Sequence, residues 1–123
     1  MAESTVVTGE LATARRLVEL LEQDGFRLDA AVWVVDDEGR GRLYLVPHDR
    51  NESELKQTIR VAHTISQHKD KLPDRHDLLY SIVAPDHPVI QAVRSVSPGT
   101  GKIQGIYNNG TYIDTAYVLR AAA

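Results

Sequence analysis

A chain of 123 residues, 42% hydrophobic and 25% charged, has the size and balance of one globular domain. With no cysteine it can form no disulfide, thiolate metal site, iron–sulfur cluster or cysteine nucleophile. A net charge of −3 argues against a general binder of nucleic acid or anionic membrane, and no apolar run nears the roughly 20 residues that span a bilayer.

The opening MAESTVVTGE lacks the basic and apolar regions of a secretory signal, and Met1–Val7 is expected as a flexible leader. A first helix is predicted from Glu10 to about Asp24, capped by Thr8, because Leu11, Ala14, Leu17, Val18 and Leu21 recur at helical spacing. Gly25 followed by Phe26 reads as a left-handed stop with the phenyl ring folding back. Next come two apolar runs, Ala31–Val35 and Leu43–Val46, flanking the break Asp36–Gly41. That pattern predicts a hairpin whose loop is longer than two residues. Ala31, Trp33 and Val35 alternate with Val32 and Val34, so both faces are apolar and the strand should be covered on each side, at the centre of the sheet.

A second helix is predicted to begin at Asn51, with Glu54 completing a capping box, and to end before Leu72-Pro73. Its expected buried stripe is Leu55, Ile59, Ala62 and Ile65, with Val61 beside it. Leu78–Val83 reads as a third, buried strand. Asp86 and Pro88 then open a third helix, with Val89, Val93 and Val96 on its inner face and Ser97-Pro98-Gly99 as its stop. Lys102–Tyr107 and Thr111–Leu119 surround Asn108-Asn109-Gly110, the strongest short hairpin signal in the chain. The final strand is expected at a sheet edge. The order α-β-β-α-β-α-β-β predicts one α/β domain over residues 8–120, with a single mixed five-stranded sheet and helices on both faces.

Five patterns could carry chemistry or recognition. SPGTGK at Ser97–Lys102 resembles a phosphate loop only superficially: Val96 stands where the first Gly belongs, Ile103 follows the lysine, and the order is helix to strand. Histidine neighbours aspartate at His48-Asp49, His76-Asp77 and Asp86-His87. His48 and Asp49 follow the second strand, and Asp86 and His87 the third, so these four are the candidate catalytic residues if they converge beyond one end of the sheet. Otherwise the aspartates are turn and cap residues and the histidines are solvated. His63 and His68 lie five apart and diverge on a helix, so no metal site or cofactor is expected. The cations of Lys56–Arg75 are interleaved with acids, as on a solvated helix face. Tyr107, Tyr112 and Tyr117 gather around the last hairpin and are the candidate interface residues for a protein partner or a second copy.

AVWVV with RLYLV, then SIVAPDHPVIQAVR and NNGTYIDTAYVLR, resembles a loose group of small uncharacterised bacterial α/β proteins. The resemblance spans most of the chain and implies a shared fold and a bacterial cytosolic setting. Its motifs are strand and cap patterns, so it brings no activity, cofactor or catalytic residue. The expected function is that of a non-catalytic accessory or protein-interaction domain that self-associates as a homodimer. A small hydrolase or ligand-binding protein built on the His/Asp residues is the alternative.

Overall fold

The computed structural model describes residues 2–49, 51–72, 78–96 and 101–120, with side chains from residue 9. The elements are α1 (Ala2–Gln23), β1 (Leu28–Val35), β2 (Gly41–Pro47), α2 (Glu54–Gln67), β3 (Tyr80–Ile82), α3 (Pro88–Val96), β4 (Gly101–Asn108) and β5 (Thr111–Arg120), with a 3-10 turn at Lys69–Lys71. They form the expected mixed α/β domain: one five-stranded sheet in the order β3-β2-β1-β5-β4. β2 and β3 run parallel, as a strand pair joined through a helix must, and every other pairing is antiparallel.

α1 starts at Ala2, so Thr8 lies inside the helix rather than at its cap. Its end follows the sequence closely. Gly25 takes φ +87°, its amide bonds Glu22 O at 3.1 Å, and the Phe26 amide bonds Leu21 O at 2.9 Å. Those two bonds are the Schellman pair, and buried Phe26 closes the end.

β1 is the middle strand and is covered on both sides. Ala31, Trp33 and Val35 join Leu43 and Leu45 of β2 under α1 and α2, while Ala30, Val32 and Val46 pack against Ile90, Ala92 and Val93 of α3. Trp33 is wholly buried. Its ring lies over Gly41, where an added Cβ would overlap Cζ2 and Cε2. Its Nε1–H has no hydrogen-bond partner among the described residues.

Asp36 builds the β1–β2 turn. Its Oδ1 accepts from the Glu38 and Arg40 amides, each at 2.9 Å, and the Arg40 guanidinium lies 3.4 Å from Oδ2. The Arg40 amide, seconded by the Glu38 amide and the guanidinium, holds this carboxyl below its ordinary value of 3.8. A lowered folded value means that the turn keeps its full support above the ordinary carboxyl range and loses it as pH falls through the folded value. A carbon-detected NMR titration should place the Asp36 midpoint below that of an unstructured aspartate, with the Glu38 and Arg40 amides moving in step. An ordinary midpoint would remove the carboxylate from its role in the turn.

Other expectations are corrected as well. α2 is capped by Ser53, whose Oγ accepts from the Lys56 amide at 3.2 Å, and not by Asn51, whose own amide bonds Asp49 Oδ1 at 2.9 Å. α2 also buries only part of its expected stripe: Val61 is buried and Ile65 packs half-buried against the core. Gln57, Val61 and Thr64 point inward, while Leu55 and Ile59 are 70% and 57% exposed and Ala62 is exposed beside them. The inward polar groups are paid for by bonds: Gln57 Nε2 donates to Asp49 O at 2.9 Å and Thr64 Oγ1 to Asp24 Oδ2 at 2.8 Å. The third strand is three half-buried residues on an edge rather than a buried run over Leu78–Val83. In α3 the inner face is Ile90, Ala92 and Val93, and Val96 is 54% exposed; the expected stop at Ser97-Pro98-Gly99 lies outside the described residues.

The last hairpin turns through Asn109 and Gly110 at φ +49° and +83°, the left-handed pair of a two-residue loop. β5 is not an edge, because it pairs with β1 on one side and β4 on the other. The edge is β4. Along both strands the inward residues against α3 are spaced by three at one step, Ile103 to Ile106 and Ile113 to Ala116. The change falls at Gly105, whose φ of +66° lets β4 change facing while its register with β5 carries on. The tip therefore buries Ile106 and Ile113 beneath α3 and turns Tyr107 and Tyr112 outward.

Candidate functional site

The ends of β2 and β3 hold the sequence candidates, and His48, Asp49 and His87 are each in a local bond. His48 Nδ1 meets Asp29 Oδ1 at 2.8 Å on an exposed rim. Asp29 is the extra residue where the β1–β2 register slips between Leu28 and Ala30, so Leu28 faces Pro47. That bulge brings the carboxylate to the imidazole, and no periodicity in the sequence announced it. Asp49 forms the turn with the Asn51 amide. His87 Nδ1 accepts from the Val89 amide at 3.2 Å, making this histidine, and not Asp86, the side-chain cap of α3. Its ring is tilted against Tyr44 with centroids 5.4 Å apart. Asp86 is exposed in the turn before the helix.

A groove of about 260 Å³ does open beyond the carboxyl ends of these strands, between Pro47, Glu52, Gln57, Ile82 and Pro85. None of His48, Asp49, Asp86 or His87 lines it. Glu52 is held there by Arg60 at 3.0 Å and Gln57 by the Asp49 carbonyl. No hydrogen bond or ion pair links the two His/Asp pairs among the described residues, and no three His, Asp or Glu side chains gather there to hold a metal. The His48–Asp29 contact is an imidazole–carboxylate hydrogen bond on the surface. His76-Asp77, and the Ser97–Thr100 part of the glycine-rich stretch, lie outside the described residues.

The second-helix histidines separate as their spacing requires. His68 Nε2 lies 3.7 Å from Asp24 Oδ2, whereas His63 is exposed beside a groove of about 390 Å³ between the end of α1 and α2. Arg60 walls that groove. It stacks 4.9 Å above Phe26, bonds Gly25 O at 3.3 Å and pairs with Glu52.

The tyrosines divide. Tyr117 is half-buried opposite Trp33, with the Lys102 ammonium 5.8 Å from its ring centre. Tyr107 and Tyr112 stand directly opposite each other across β4 and β5, 73% and 60% exposed. The Tyr112 hydroxyl bonds Asp114 Oδ1 at 3.4 Å. Beside this pair β4 runs eight residues with one charged side chain, Lys102, and no proline, the usual devices that blunt an edge.

Comparison with protein-family models, with curated proteins and with solved structures finds no match. The fold defines the chain as a mixed α/β domain, and no helix among the described residues is long and apolar enough to cross a membrane.

Proposed function

We propose that the chain is a protein-interaction domain that takes an extended segment of its partner along β4. The observation that carries this reading is the pairing of Tyr107 with Tyr112 on an open edge hairpin. An unpaired strand edge offers a row of amides and carbonyls that another strand satisfies, and side-chain pockets beside it supply selectivity. Exposed tyrosines are rigid, amphipathic contact residues of the kind that dominate interface energetics. The absence of cysteine and the resemblance to small bacterial proteins support action in the cytosol.

Selection from a displayed library of random peptides tests the reading. Wild-type protein should enrich extended sequences with alternating β-branched residues. Affinity for those peptides should fall at least about tenfold in a Tyr107→Lys/Tyr112→Lys double variant, a loss of about 1.4 kcal/mol. Both residues lie on the surface, so the variant should keep the wild-type circular dichroism and melting profile. Peptides that bind both proteins equally, or a library that yields none, would overturn the assignment.

A further inference from the structure

The outward face of α2 is the less expected surface, because its apolar residues have the spacing of a buried seam. Leu55, Ile59 and Ala62, followed by the small polar Ser66, stand at intervals of four, three and four, the heptad rhythm by which one helix packs against another. All four are exposed. The side that faces the domain is fully engaged by Val61 in the core and by the bonds of Gln57 and Thr64, so the helix cannot rotate to hide the seam without breaking them. At Ile59 the seam runs into the groove beside Phe26 and His63.

The geometry points to a second copy of this chain as the occupant, with two α2 helices packed antiparallel about a twofold axis between Ile59 and Ala62. The charge order along the segment selects both occupant and direction. Its first turn carries Glu54, with Lys56 two residues on and Glu52 already held by Arg60, and the turn after its end carries Lys69 and Lys71 with Asp70 between them. Antiparallel packing lays Glu54 of each helix near Lys69 and Lys71 of its mate, twice by symmetry. Leu55 then meets the mate's Ser66, and Ile59 its Ala62, so a large residue faces a small one at each level and the backbones can approach closely. Fourteen residues of helix give a seam about 21 Å long, at the small end of stable interfaces, so association should depend on concentration. The hairpin of β4 and β5 lies at the opposite edge of the sheet from β2 and β3, leaving it open in the dimer.

Sedimentation equilibrium over a concentration series tests the assignment. The wild-type mass should rise from 13.7 kDa toward twice that value. Leu55→Glu and Ile59→Lys should each hold it at the monomer mass, with the melting profile matching that of wild type at concentrations where wild type is itself monomeric, since both side chains are exposed. Glu54→Lys and Lys71→Glu should each weaken the dimer, and combining them should restore it. The chain has no cysteine, so introduced thiols report direction without background. Under mild oxidation a mixture of Leu55→Cys and Ser66→Cys chains should form the mixed disulfide, while Leu55→Cys alone should not cross-link. A monomer at every concentration, or a dimer untouched by Leu55→Glu and Ile59→Lys, would overturn the proposal. So would Leu55→Cys cross-linking to itself. Tyr107→Lys should leave the mass unchanged, which separates this surface from the peptide-binding edge; a loss of dimer in that variant would move the interface to the hairpin.

Discussion

Trp33→Ala should destabilise the domain by about 3 kcal/mol, at the lower end of the 3–5 kcal/mol typical of deleting a buried large aromatic side chain. The ring is fully buried in the centre of the sheet, and its loss leaves a cavity ringed by residues of β1, β2 and two helices, which cannot all collapse into it. Against that loss stands the indole N–H, buried without a partner among the described residues. Such an orphan costs about 1–3 kcal/mol, and the alanine variant is relieved of it. The apolar term is larger, so the net effect is still a substantial loss. Urea denaturation of the two proteins measures it directly. A midpoint shift near zero at constant m would mean that the ring does not fill the core.

Gly41→Ala should be nearly as damaging although it adds only a methyl group. Gly41 pairs with Val35 at the start of β2, and its missing side chain leaves the space that the Trp33 ring occupies. A Cβ there would overlap two ring atoms and stand 2.7 Å from Cη2. Neither the paired backbone nor a fully buried indole has room to yield, so the expected loss is about 1–3 kcal/mol or more, the usual penalty of overpacking. The two effects are coupled. In a Trp33→Ala background the methyl group enters the space the ring has left, and Gly41→Ala should become neutral or mildly stabilising. A double-mutant cycle therefore should show a large interaction term. Additive losses would mean that glycine is needed at 41 for its backbone and not for the ring.

The features legible in the sequence were those decided by neighbours along the chain. The Gly25-Phe26 stop, the two apolar faces of β1 and the Asn109-Gly110 turn depend on residues a few positions apart, and they stand where the pattern put them. What periodicity conveys about α2 is a stripe, not the direction in which it points. Leu55, Ile59 and Ala62 have the spacing of a core face, yet the orientation is decided by Asp24 and the Asp49 carbonyl, which reach Thr64 and Gln57 from elsewhere in the fold. Edge status was likewise hidden, because nothing local to β5 says that β1 will pair with it. The His/Asp neighbours stand out because capping and catalysis use the same residue types, and their local partners were not legible: Asp49 serves a turn, His87 caps a helix, and His48 finds Asp29 through a bulge. The Tyr107–Tyr112 pair was legible as a cluster, while its outward facing depends on the reversal at Gly105.

The place of β5 beside β1 has a consequence for biosynthesis. On the ribosome the central strand, with its run of valines around Trp33, can take up β2 as soon as that segment emerges. Its other flank must wait for a strand made only after β2, α2, β3, α3 and β4, since Trp33 is matched with Tyr117 and Ala31 with Arg120. Throughout translation of the intervening segment the nascent chain carries its most apolar strand half-paired, the condition in which a strand recruits foreign neighbours. A message truncated before β5 would leave that state permanent. Chaperone dependence and inclusion-body formation should therefore rise sharply for chains ending before residue 111, and far less for those that lose only residues after Arg120.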